Sequence, residues 1–137
     1  IVFLPVSEDQ VRALGAKVYQ TALDPFRFPE AVLISNGGAG YGEVPFKLDP
    51  TQANFVRMDN RLVRRLFGDF SPSRGDLVLS KSGELLGIMV NSEYCAVINH
   101  FQPAVTIPIG TIPADAPTGP KIEELNRRWR ALPVRVK

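Results

Sequence analysis

Cys95 and His100 lie close together in the chain and carry the side chains that most readily ligate a transition metal. A closed zinc site needs more ligands than this pair supplies, so neither a metal nor any other cofactor is expected. Cys95 also falls within an apolar strand pattern, which assigns it to the core. The run Gly37-Gly38-Ala39-Gly40-Tyr41-Gly42 has the glycine density of a phosphate-cradling loop. A nucleotide-binding loop continues into Gly-Lys-Ser/Thr and a helix, whereas Glu43-Val44-Pro45-Phe46 is strand-like and puts an acid where a base is wanted. The glycines are better read as a hairpin turn. Arg57, Arg61, Arg64 and Arg65 form the densest basic cluster, around a turn whose apolar side is Leu62, Leu66 and Phe67. A nucleic-acid surface would need more net charge and exposed aromatic rings, so this cluster reads as a solvated face. Arg74-Gly75-Asp76 spells the tripeptide read by integrins, a coincidence too common to carry an inference.

The elements that position these residues follow from apolar spacing. Ser7 and Gln10 have the spacing of a capping box, and Val11, Leu14 and Val18 fall on one helical face, so residues 8 to 19 are expected to be helical. Asp24-Pro25 and Phe28-Pro29 end that segment. Ala31 to Ile34 and Tyr41 to Leu48 then read as a strand and its answering strand, Asn54 to Met58 as another. Asp59 or Asn60 could cap a helical turn ending at Gly68. Tyr94 to Ile98 and Val105 to Ile109 supply two more strands. Pro113, Pro117 and Pro120 lead into a last helix, with Glu123 and Glu124 near its start and Arg127, Arg128 and Arg130 near its end, as the helix dipole favours. Ile122, Leu125, Trp129 and Leu132 make its apolar stripe, expected to pack on the strands.

Composition sets the bounds. The 137 residues are the length of one domain, expected to divide into an N-terminal helical segment (1–24), a β-barrel (25–113), and a linker with the C-terminal helix (114–137). Hydrophobic residues at 45% and charged residues at 22% are those of an ordinary globular protein. No apolar run approaches the ~20 residues of a membrane helix, and the net charge of +2 points to neither nucleic acid nor an acidic membrane. From its start at Ile1, without a methionine, the chain is expected to be a piece of something longer. A single cysteine leaves the compartment open.

The centre of the chain is the stretch from Gly68 to Asn91. Leu77-Val78-Leu79 and Leu85 to Val90 are apolar arms around the polar turn Ser80-Lys81-Ser82-Gly83, whose glycine can take positive φ. Arms so continuously apolar belong to strands buried on both faces or closed into a barrel. Ser73-Arg74-Gly75-Asp76-Leu77-Val78, followed by that turn and Gly83-Glu84-Leu85-Leu86-Gly87-Ile88, resembles the nucleophile segment of trypsin-like serine peptidases. There a serine followed by Gly-Gly-Pro leads into an apolar strand, a turn and a return strand ending in Gly-Ile. Gly75 takes the place of the second glycine and Gly87-Ile88 that of the return strand. Pro72, Arg74 and Asp76 depart from the pattern.

The resemblance implies a mainly β fold: an antiparallel barrel of six or seven strands, like the C-terminal half of such a peptidase, with an N-terminal and a C-terminal helix. It implies Ser73 as candidate nucleophile and the amides of Ser71 and Ser73 as an oxyanion hole, with Arg74 and Asp76 modifying the loop. Arg74 could hold a carboxylate there, or close the site by pairing with Asp69 or Asp76. Trypsin-like enzymes carry their histidine and aspartate on an N-terminal barrel for which this chain has no room, and His100 follows the nucleophile segment, where the family has no base. The leading expectation is therefore a degenerate, non-catalytic barrel serving as a scaffold or partner-binding module, with a protein partner or self-association through the face the missing barrel would cover. One alternative is the C-terminal half of an active serine peptidase whose base lies upstream. The other is an unrelated small barrel that binds a ligand or a subunit.

Overall fold

In the computed structural model, residues 1, 4–35, 40–47, 54–58, 72–99, 105–106 and 119–132 are described. They fall into two compact units, Ile1–Asn99 and His100–Lys137. The first is mainly β: six antiparallel strands in one sheet that curls into a half-barrel. These are β1 (Glu30–Ile34), β2 (Gly40–Pro45), β3 (Phe55–Arg57), β4 (Leu77–Leu79), β5 (Leu85–Met89) and β6 (Tyr94–Val97), in the order β2-β1-β4-β5-β6-β3.

Sequence alternation explains which faces are buried. In β1, Ala31 and Leu33 are buried while Glu30 points to water, the period-two pattern of a half-wetted strand. The central strands are different. Val78 and Leu79 of β4 are buried in succession, as are Leu86 and Gly87 of β5 and Tyr94 and Cys95 of β6, which answers to their unbroken apolar runs. Val44, Phe46, Val56, Met58, Met89 and Val97 complete the core.

The chain before β1 is tied to the sheet. Ser7 and Gln10 form the capping box: the Gln10 amide donates to Ser7 Oγ at 3.3 Å and the Ser7 amide to Gln10 Oε1 at 2.8 Å. The helix they start, α1, spans only Glu8–Ala13, so the expected extension to residue 19 does not form. Leu14 caps it and Gly15, at φ 61°, turns the chain away, because glycine takes the left-handed conformation without a Cβ clash. Leu14 and Val18 are left exposed. Gln20 to Ala22 then runs beside β5: the Leu85 amide donates to Gln20 O at 2.7 Å, and the Ala22 amide to Leu85 O at 3.0 Å. Asp24 caps a 3-10 turn, Pro25–Arg27, and Phe26 stacks on Phe46 with ring centroids 5.9 Å apart.

In the second unit a 13-residue helix, α2, spans Gly119–Ala131. It begins early enough that Lys121, not an acid, stands in its first turn; Glu123 and Glu124 fall in the second, a correction to the dipole arrangement expected above. Val105 and Thr106 are not in a strand, and residues 107–109 of that expected strand lie outside the described residues. So do the turn expected over 59–68 and residues Arg61, Arg64 and Arg65.

Candidate functional site

The entry into β4 is a tight turn built by Ser73, Arg74, Gly75 and Asp76. The Asp76 amide donates to Ser73 O at 3.1 Å, and Gly75 sits in the third position at φ 93°, the conformation a type II turn demands of that residue. The turn runs directly into a bulge. The Gly75 amide donates to Met89 O at 2.8 Å and the Met89 amide to Asp76 O at 2.8 Å, so two residues of one strand oppose one of the other. Glycine is therefore required at 75 by the backbone.

Asp76 holds the turn from inside. Its residue is buried, at 5% exposure, and its Oδ2 accepts from the Ser73 amide at 2.8 Å. A bond from an amide to a carboxylate is charge-assisted, and it offsets part of the cost of burying the acid. Arg74, exposed, donates from Nε to Val90 O at 3.0 Å, pinning the turn to the far end of β5. Ser73 itself is exposed.

For acyl-transfer chemistry this geometry is adverse. An oxyanion hole needs amides aimed at the place where negative charge develops. Here the Ser73 amide is already engaged, and by a carboxylate whose own charge would repel an oxyanion. Ser71 and His100, the other residues named for that chemistry, and Asp69, a possible partner of Arg74, lie outside the described residues. Asp76, expected to modify the loop or to pair with Arg74, holds the turn through its bond from the Ser73 amide. Its signal lies in the spacing, since in Ser-x-x-acid the acidic side chain can reach back to the serine's own amide, as in a capping box.

The opposite end of the hairpin is polar and exposed. Gly83, at φ 91°, closes the turn as anticipated, with its amide donating to Ser80 O at 3.0 Å. Lys81 reaches Glu30 on the neighbouring β1 at 2.7 Å and Glu43 on β2 at 3.1 Å, and these bonds raise its pKa. Between the two ends, Gly87 permits close approach of β5 and β6: a Cβ there would strike Cys95 Sγ and lie 2.5 Å from Ala96 O. Cys95 is fully buried, and burial pushes its thiol pKa far up, so it is a packing residue and no nucleophile. Among the described residues no cluster of His, Cys, Asp and Glu could hold a metal ion, and no helix is long and apolar enough to cross a membrane. Compared with known proteins, the chain matches no family model, no curated protein and no solved structure.

Proposed function

We propose that this chain is a catalytically silent module, built like the C-terminal barrel of a trypsin-like peptidase and used as a scaffold or partner-binding domain. One observation carries the reading: the amide that a nucleophilic Ser73 would need for oxyanion stabilisation donates to the buried carboxylate of Asp76 at 2.8 Å. A serine with an occupied amide and a negative charge beside it is a poor acylation centre, whatever base stands near its hydroxyl. The binding half of the reading is supported by apolar side chains left in water. Leu14, Val18 and Leu23 are 75%, 71% and 97% exposed, apolar side chains that a partner or a second copy could cover.

The test is intact-mass analysis after treatment with a fluorophosphonate, on the longest natural form of the protein, beside a Ser73→Ala control. No adduct is the expected result. An adduct that vanishes in the control would establish a competent nucleophile and overturn the reading in favour of an active peptidase. Sedimentation equilibrium addresses the binding half, with self-association at high concentration expected if the partner is a second copy.

A further inference from the structure

We infer that α2 is an interfacial helix that lies on a membrane surface bearing anionic lipid. This inference is independent of the reading of the Ser73 turn. The whole-chain charge conceals it. Residues 119–137 carry Lys121, Arg127, Arg128, Arg130, Arg135 and Lys137 against Glu123 and Glu124, a net charge of +4, while the other 118 residues carry −2. A basic segment on an otherwise acidic chain is an electrostatic address.

The helix is built to use that charge. At about 100° per residue, Ile122, Leu125 and Trp129 share one narrow face. They are 50%, 37% and 49% exposed, so this apolar stripe is presented to water along the helix. Lys121 and Arg128 border the stripe on one side and Arg130 stands on the other, and on each side the nearest cation is closer to the stripe than the nearest glutamate. Glu124 does not reverse this, because it is bound by two of the cations in a cluster that keeps a net charge of +1 (two arginines against one glutamate). Its carboxylate accepts from Arg127 Nε and Nη2, both at 2.7 Å, and from Arg128 Nε at 2.5 Å.

A narrow stripe, low overall hydrophobicity and flanking cations are the marks of a helix that lies in the headgroup region, its cationic stems extending toward phosphate while the apolar face enters the acyl boundary. Anchors at i, i+3 and i+7 also suit a groove on another protein, and it is the flanking cations that favour the lipid surface. Trp129 adds the side chain most at home at that depth. Thirteen residues can lie in the interface and cannot span it.

Trp129 is the chain's only tryptophan, so the full-length protein reports on its own binding. Vesicles of phosphatidylcholine, with or without one-third phosphatidylglycerol, are titrated into it at low and high salt while tryptophan emission and co-flotation are followed. Expected are a blue shift and flotation with the anionic vesicles at low salt, both lost at high salt and absent with phosphatidylcholine alone. Arg130→Gln should weaken partitioning roughly fivefold, and Leu125→Glu should abolish it without changing the fold of the first unit. No shift with anionic vesicles at low salt would overturn the inference. So would equal, salt-independent binding to neutral vesicles. A blue shift that grows with protein concentration in the absence of lipid would assign the stripe to a second copy and overturn it as well.

Discussion

Replacing Asp76 separates its structural from its chemical effect. In Asp76→Ala the Ser73 amide loses a charge-assisted bond of the kind that contributes about 1.5–3 kcal/mol, while the backbone bond from the residue 76 amide to Ser73 O, which closes the type II turn, remains. The amide is only partly buried, so water recovers some of that bond, and the expected loss is about 2 kcal/mol. Asp76→Asn keeps a carbonyl acceptor in the same place without the charge and should lose about 1 kcal/mol. Urea unfolding followed by circular dichroism reads both; with a slope of about 2 kcal/mol per molar, the midpoint falls by about 1 M for the alanine variant and half that for the asparagine. A midpoint within 0.2 M of the parent for Asp76→Ala, on the order of a tenth of the parent's stability at most, would refute the claim that this carboxylate holds the turn. The alanine variant also frees the amide for chemistry. It should remain unlabelled by fluorophosphonate, because a freed donor supplies no base. Labelling that appears in Asp76→Ala and disappears when Ser73→Ala is added would mean that the carboxylate is a gate on a working serine.

Three other outcomes are expected. Gly87→Ala places a methyl against the backbone of Ala96 as well as the Cys95 sulfur, so destabilisation should reach about 3 kcal/mol, the upper end of overpacking, and adding Cys95→Ala should restore only part of it; chemical denaturation of the two variants decides. Cys95, buried with its thiol pKa raised, should resist iodoacetamide at pH 8 in the native protein and react in urea, as mass spectrometry will read. Glu124 is held at about 2, below its ordinary 4.5, first by its bond to Arg127 and then by that to Arg128. A depressed carboxylate stabilises above its unfolded pKa and is lost as pH falls through the folded one, so helicity from α2 should fade between about pH 4.5 and 2, and Glu124→Gln should remove that dependence.

Much of the β architecture was legible because period and punctuation agreed. The hairpin of β4 and β5 could be read from two apolar arms and the Ser80–Gly83 turn, and the first four residues of the capping segment from Ser7 and Gln10. The length of α1 was not legible. Val11, Leu14 and Val18 keep a helical spacing, but Gly15, the weak point of that stretch, adopts positive φ and ends the helix six residues short of residue 19, and periodicity does not say whether a helix will run through its glycine or stop there. The pairing of Gln20 to Ala22 with Leu85 was invisible for a related reason: a short polar stretch has no strand signature, and only the place left beside β5 where β6 ends makes it one. At the turn of Ser73 the types of all four residues were noticed, yet the direction of the Asp76 side chain depends on the bulge opposite Met89, a contact with another strand.

That sheet order has a consequence for how the chain assembles during synthesis. The hairpin of β1 and β2 and the meander of β4, β5 and β6 each join neighbours in sequence, and each can zip as the ribosome delivers it. The seams between them join Val32 to Leu79, Val56 to Cys95 and Thr21 to Leu85, partners made far apart in time. The inner edge of β1 waits with unfilled hydrogen bonds until β4 emerges, and Gln20 to Ala22 waits until Leu85 does, so the nascent chain carries open strand edges until both are delivered. The stretch from Gln20 to the end of β1 is therefore one with need of a chaperone's cover, and a chain stalled before β4 and β5 is a form prone to aggregate.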